Sequence, residues 1–415
     1  MADRSVRGVR LRFGSSALNY HALRLFGPRL PRFAGGWMPW LELHRFAAPT
    51  LRGPAWAKLR PTLSGICGTD LGLLTGHASP ILSPFSSFPA VLGHEVVAVV
   101  EEAGKGSGVV PGQRVVVDPV ISCFVRELEP CQHCREGHPS LCLRPAEGAI
   151  SPGLLIGYCR DLPGAWSDAM LAHASQLHPV PDALSDEVAV LIEPFSVALH
   201  AVLAGPPTPG DRVLVIGGGT LGLCTLAALR LIRPATRVTI LVRHPAQASM
   251  AERLGAVSVR HDSGDGALRA AETDAGARRY QPIVGGAVLT GGFDQVYDCV
   301  GSRRSLDASL RVTAARGRLV LVGGPGQLGG LDWTLAWTRE LRIDGSYVYG
   351  REESLAERPH TFQEAMRLLS ERSDLALGDL VTHRFALDSY RGAMRAALDR
   401  GRAGALKVVF APSEG

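Results

Sequence analysis

Cys67, Thr69 and Asp70 place a thiol, a hydroxyl and a carboxylate within four residues of the stretch Gly65-Ile66-Cys67-Gly68-Thr69-Asp70. The glycines around them let the backbone bend so that these side chains can reach one point. A lone buried cysteine is most often only a small hydrophobe. Gly93-His94-Glu95 changes the weighting, because thiolate, imidazole and carboxylate together form the mixed donor set that Zn²⁺ accepts. Glu193-Pro194 adds another carboxylate inside an apolar run, where an unpaired charge is costly and needs a cation or a metal beside it.

A second thiol group follows. The chain has 8 cysteines, at positions 67, 123, 131, 134, 142, 159, 224 and 299, and Cys123, Cys131, Cys134 and Cys142 read C-x7-C-x2-C-x7-C in a loop with Pro130, Gly137 and Pro139. Four thiolates so close in sequence match a closed tetrahedral zinc site that pins a loop too poor in apolar residues to fold alone. Cys131, Cys134 and Cys142 carry most of that signal. Cys123 stands seven residues upstream where two to four are usual, so His133 and His138 are alternative fourth donors.

These side chains need elements to hold them. Residues 57–64, 91–101 and 114–117 read as strands and 184–204 as a helix, which puts Cys67 and His94 at or near strand ends, where distant segments converge. Further on, an apolar run from Asp211 feeds Gly217-Gly218-Gly219-Thr220-Leu221-Gly222, and a helical segment follows. Strand, G-x-G-x-x-G and helix in that order form a dinucleotide cradle: Gly217, Gly219, Thr220, Leu221 and Gly222 turn backbone N–H groups toward a pyrophosphate. The alternation continues through strands 237–242, 295–299 and 317–323 and helices 247–255 and 305–314, which predicts a doubly wound α/β domain over residues 200–345. At the end of its second strand stand Val242, Arg243 and His244, with no acid to hold a ribose hydroxyl. Arg243 therefore favours NADP over NAD, its other reading being a solvated residue at a helix start.

Composition sets the limits. A chain of 415 residues needs two domains. With 46% hydrophobic and 20% charged residues it is globular rather than disordered. The formal charge of +5 is spread over scattered arginines, which gives no reason to expect nucleic acid as a partner. No apolar run reaches the roughly 18 residues of a membrane span, and clustered thiols in a chain this long point to metal in a reducing, cytoplasmic compartment rather than to a disulfide scaffold. Residues 1–40 carry seven arginines and one acid, with a short helix expected over 15–26; no chemistry is assigned to this extension.

Taken together, GICGTD at 65–70, GHE at 93–95, the cysteine lobe at 123–142, IEPFSVALHA at 192–201, GGGTLG at 217–222 and DCVG at 298–301 resemble the zinc-containing medium-chain dehydrogenase/reductase superfamily, especially its sorbitol and threonine dehydrogenase branch. The resemblance implies a GroES-like, β-rich catalytic domain from residues 41–199 and 346–415, with the Rossmann domain of residues 200–345 inserted in it. It also implies roles. Cys67 and His94 would be the standard catalytic zinc ligands, Glu193 the carboxylate of the polyol branch, and Glu95 a neighbour able to enter or leave the metal shell. Asp70 would accept the free N–H of His94, and Thr69 would bond the substrate oxygen and start the proton relay. Zinc would lower the pKa of an alcohol (a polyol, sugar, amino alcohol or secondary alcohol), whose hydride passes to NAD(P); the reverse reaction reduces a carbonyl.

Relatives are commonly homodimers or homotetramers. Trp166 lies in a segment near the substrate in relatives or is simply core; Lys407 is a cofactor-phosphate contact or a strand-edge lysine. The chain departs from the pattern at Ala98, at Gly72 where many relatives have a relay histidine, and in the Cys123–Cys131 interval. Two other readings are a zinc-free quinone or enone reductase and a catalytically silent nucleotide-binding relative, either of which would be expected to lose metal ligands retained here.

Overall fold

The computed structural model describes residues 5–12, 17–27 and 38–412. Contacts divide the chain into two units, one of Met1–Glu193, Phe362–Glu371 and Val381–Gly415, the other of Pro194–Thr361 and Arg372–Leu380.

The first unit is built on β1 (Ser5–Leu11), β2 (Leu41–Ala47), β3 (Trp56–Gly65), β4 (Ala90–Val91), β5 (Val96–Ala103), β6 (Arg114–Val117), β7 (Met170–His173) and β8 (Leu177–Pro179). The second contributes β9 (Arg212–Ile216), β10 (Arg237–Val242), β11 (Ser258–His261), β12 (Arg278–Tyr280), β13 (Val288–Thr290), β14 (Phe293–Asp298), β15 (Thr313–Leu321) and β16 (Arg342–Gly345), after which β17 (Val381–Phe385) and β18 (Lys407–Phe410) return to the first.

In the first unit a seven-stranded sheet runs β17-β18-β3-β5-β6-β8, with β7 also on β3. Alternate residues of β3 and β5, among them Ala57, Leu59, Val96, Ala98 and Val100, point into one core with Val115, Val117 and Met170. The period-2 pattern of these strands fixes which face is buried. Ala98 sits in that core fully buried, so a methyl there is packing. A smaller sheet orders β2-β1-β4. Part of the N-terminal extension is thus sheet: β1 pairs with β2 from Ser5–Ala47 to Leu11–Leu41, and the expected short helix spans Ala17–Phe26.

The second unit holds a parallel sheet in the order β11-β10-β9-β14-β15-β16. Numbered along the chain without the β12–β13 hairpin, this is the 3-2-1-4-5-6 order of dinucleotide-binding sheets, whose switch point lies between β9 and β14. Val213, Leu214, Val215 and Ile216 are buried, as a strand covered on both faces requires.

Two elements differ from expectation. The strand read over 91–101 is interrupted after β4, because Gly93 takes φ +100° and the chain turns before resuming as β5. The helix read over 184–204 is two helices, Asp186–Ala189 and Ile192–Leu203. Both sequence-based spans had the right apolar content, but periodicity does not show a single turn inside a buried run.

Candidate active site

At the end of β3 the chain enters the helix Gly68–Leu74 with Cys67 as its N-cap. The Cys67 sulfur accepts from the Thr69 amide at 3.4 Å, and Asp70 Oδ2 accepts from the Cys67 amide at 3.0 Å. This reciprocal cap fixes thiol and carboxylate relative to one another. His94 and Glu95 come from the turn between β4 and β5. Trp166, fully buried, holds the two stretches together: its indole N–H donates to Gly65 O at 3.0 Å and its ring packs edge-on against Phe410 at 5.2 Å. A Cβ on Gly93 would lie 2.3 Å from that ring, so only glycine fits. Of its two sequence readings, Trp166 takes the core one.

The outcome is that the ligand atoms of Cys67, His94 and Glu95 all lie within 4.8 Å of one another. Thr69 Oγ1 is 3.6 Å from the Cys67 sulfur. Glu193 is buried in the first turn of its helix but is not a member of that three-residue group.

Charge is arranged in two buried sets. Lys407, 1% exposed on β18, gives its ammonium to Glu95 Oε2 and to Ile66 O at 3.3 Å. It is therefore neither an exposed strand-edge lysine nor turned outward to a phosphate. An apolar strand containing one lysine was the available signal, since a buried ammonium needs an acid. In the other set Asp70 Oδ1 lies 3.5 Å from His94 Nδ1 and accepts from Tyr158 Oη at 2.6 Å, while Oη is 3.3 Å from the same His94 nitrogen. Burial pushes the Asp70 carboxyl up, but the nearby charge of His94, with hydrogen bonds from Tyr158 and the Cys67 amide, brings it below its ordinary value. Burial lowers the His94 imidazole, yet Asp70 and Cys67 together raise it well above 6.5. Burial, then the Asp70 charge, raises the Tyr158 phenol, which stays protonated and able to donate. Nothing in the sequence pattern singled out Tyr158.

The four thiols Cys123, Cys131, Cys134 and Cys142 also converge within 4.8 Å, so the long interval after Cys123 does not keep it from the cluster. The intervening residues turn back on themselves: Leu128 N bonds Cys123 O at 2.9 Å and Cys131 N reaches the Cys123 sulfur at 3.4 Å. Amides of Leu143 and Arg144 donate to the sulfurs of Cys131 and Cys142. The Cys134 thiol, then the Arg144 amide, pull Cys142 down to about 5. Arg126, 3% exposed, ties the lobe to the next loop through the carbonyls of Pro145, Glu147, Ile150, Ser151 and Gly153. Such a donor set suits a closed Zn²⁺ site.

In the second unit Gly217 follows β9 at φ +107°, and a Cβ on Gly222 would lie 1.7 Å from Gly217 O, which is why the helix can start so close to the strand. That helix, Thr220–Ile232, has Gly219 as N-cap with no side-chain cap, so Thr220, Leu221 and Gly222 present first-turn amides. Asp298 ends β14 across the switch point and orders the opposite rim by accepting from Val300 N at 2.9 Å and Gly301 N at 3.0 Å. Arg243, the residue after β10, is half-exposed and paired with Asp262 at 2.8 Å; Arg304 reaches the same carboxylate at 3.3 Å.

Comparison with known proteins fits this geometry. The profile of the alcohol dehydrogenase GroES-like domain matches residues 53–182, and that of the zinc-binding dehydrogenase domain matches residues 220–371. The chain belongs to the zinc-containing medium-chain dehydrogenase/reductase superfamily. It is an NAD(P)-dependent oxidoreductase of the alcohol dehydrogenase type, with a GroES-like and a Rossmann part. It is 29% identical over 341 residues to an L-threonine 3-dehydrogenase of Anaeromyxobacter dehalogenans, covering 80% of this chain and 85% of that one. An L-idonate 5-dehydrogenase of Vitis vinifera is 28% identical over 373 residues, 89% of this chain and 91% of the relative. The starvation-sensing protein RspB of Escherichia coli is 32% identical over 200 residues, about half of each chain. Among solved structures, a zinc-binding dehydrogenase from Sinorhizobium meliloti bound to NADP superposes with a TM-score of 0.72 at 26% identity, over 99% of this chain and 100% of that one. No helix among the described residues is long and apolar enough to cross a membrane.

Proposed function

We propose that Cys67 and His94, with Glu95 or Glu193 as the third protein ligand, hold a catalytic Zn²⁺, and that Cys123, Cys131, Cys134 and Cys142 hold a structural one. The observation that carries this is the convergence of Cys67, His94 and Glu95 within 4.8 Å, on turns fixed by the Trp166–Gly65 hydrogen bond and by the Asp70 cap on Cys67. Zinc bound there supplies a Lewis acid that lowers the pKa of an alcohol, and the nicotinamide supplies the hydride acceptor.

The residues do the rest. Asp70 orients His94 and keeps its Nε2 available to a metal. Thr69 stands beside the Cys67 sulfur, where its hydroxyl would accept a hydrogen bond from the substrate hydroxyl and start the relay by handing its own proton on to water. Gly217, Gly219, Thr220, Leu221 and Gly222 seat the pyrophosphate. Arg243, sharing Asp262 with Arg304, leaves two guanidiniums against one carboxylate, a surplus of positive charge that favours the 2′-phosphate of NADP over NAD.

The substrate class is a polyol, sugar, amino alcohol or secondary alcohol, the classes suggested by the names of the relatives. Cytoplasmic location and assembly as a homodimer or homotetramer belong to the same proposal, supported by cysteine usage and by the family. The test is a panel of such alcohols offered to zinc-loaded protein with NADP and with NAD, read by nicotinamide reduction. Turnover that is faster with NADP and lost in Cys67→Ser is expected. Equal turnover by Cys67→Ser would sink the assignment.

A further inference from the structure

The pair Asp70–His94 has a third member. At 3.5 Å, His94 Nδ1 and Asp70 Oδ1 are too far apart for a good direct hydrogen bond. Tyr158 Oη stands 2.6 Å from the carboxylate oxygen and 3.3 Å from the ring nitrogen. The other carboxylate oxygen, Oδ2, is already occupied by the Cys67 amide. A phenol has one proton to donate and lone pairs to accept with. Its short contact takes the proton to Asp70, which leaves a lone pair facing the imidazole N–H.

Backbone contacts make this placement specific. Gly157, at φ +90°, packs so close to the His94 turn that a Cβ on it would lie 3.2 Å from Gly93 N. Tyr158 O accepts from Ser87 N at 3.0 Å, and Tyr158 N donates to Leu155 O at 3.1 Å. The phenol is thus delivered from a separate loop whose upstream end Arg126 anchors, and its ring lies 5.5 Å from that of His94.

We propose that Tyr158 is a positioning residue for the metal site: His94 Nδ1–H donates to Tyr158 Oη, which donates to Asp70 Oδ1, and this chain of two bonds holds the ring with Nε2 turned toward the Cys67 sulfur. The inference rests on the reading that Cys67 and His94 hold Zn²⁺. It adds that the carboxylate acts on His94 largely through a phenol. Partners of metal-bound histidines typically carry about 10- to 100-fold in metal affinity.

The test is zinc affinity of the full chain by competition with a chromogenic chelator, for wild type, Tyr158→Phe, Asp70→Asn and the double variant. Tyr158→Phe should weaken one of two zincs about 10-fold or more and leave the tighter four-thiol site unchanged. The double variant should lose no more than Asp70→Asn alone, because both act through one chain. Tyr158→Phe within two-fold of wild type while Asp70→Asn is weakened would overturn the proposal, as would losses that multiply in the double variant. Should Tyr158→Phe fail to fold, fluorotyrosine at position 158 keeps the shape and weakens the acceptor; it should weaken binding a few-fold, and unchanged affinity would overturn the idea. Wild type that binds zinc only at the four thiols would instead bring down the metal reading itself.

Discussion

Replacing Lys407 by methionine tests the buried charge pair behind the site. Lys407 and Glu95 have side chains 1% and 2% exposed, and Lys407 also satisfies Ile66 O. Methionine fills nearly the same volume but leaves the Glu95 carboxylate buried without its cation. Breaking a buried pair from one side costs about 3–5 kcal/mol. For a unit of this size each kcal/mol moves the melting temperature by roughly 2–4 °C, so Lys407→Met should melt about 6–20 °C lower. Adding Glu95→Gln removes the stranded charge, and the double variant should recover more than half of the loss. Zinc beside Cys67 would offer Glu95 another cation, so the deficit of Lys407→Met relative to wild type should shrink in excess zinc and grow with chelator present. Scanning calorimetry of the three proteins under both conditions reads all of this. A single variant within about 1 kcal/mol of wild type, or a double variant no better than the single, would refute the reasoning.

Other expectations follow from separate sites. Cys131→Ser should release the lobe: zinc content falls by one per chain, and limited proteolysis cuts within residues 123–142 at least 10-fold faster; an unchanged cleavage rate would contradict a structural role for the metal. Arg243→Ala should raise the KM for NADP about 10-fold or more while NAD moves less than two-fold, the size of one lost charge-assisted hydrogen bond; equal changes for both cofactors would remove Arg243 from the phosphate site. Asp294, hydrogen-bonded by Arg212, is held below its ordinary pKa despite partial burial, so its stabilisation is present above about pH 4 and lost as pH falls through the folded value. Asp294→Asn should then be about 1 kcal/mol less stable than wild type at pH 6, after discounting a pair that is one-third exposed, with the gap closing in urea titrations as the pH falls through the lowered folded value.

Much of the site was legible because its chemistry is written in short stretches. Cys67, Asp70, His94 and Glu95 sit in two Gly-flanked motifs, and a glycine turn between strand and helix predicted the doubly wound sheet of the second unit. Four thiols were read as one cluster even though the interval after Cys123 is long; that the loop folds back through Leu128 and Cys131 is a fact of backbone hydrogen bonding that spacing cannot show. Tyr158 and Lys407 were obscure for a different reason. Their partners lie 88 and 312 residues away in sequence, so even the lone lysine of an apolar strand, which calls for a buried acid, does not say which acid. β1 was missed because its Gly and Arg content hides a strand that is defined by pairing with β2 rather than by its own propensity.

The most direct test of the account is zinc per chain in protein purified without added metal, for wild type and Cys67→Ala. Near two in wild type, falling to one in a Cys67→Ala protein that melts normally, is the predicted result. One zinc in wild type that survives Cys67→Ala would mean that only the four-thiol lobe is loaded, and the dehydrogenase site built on Cys67, His94 and their carboxylates would be contradicted.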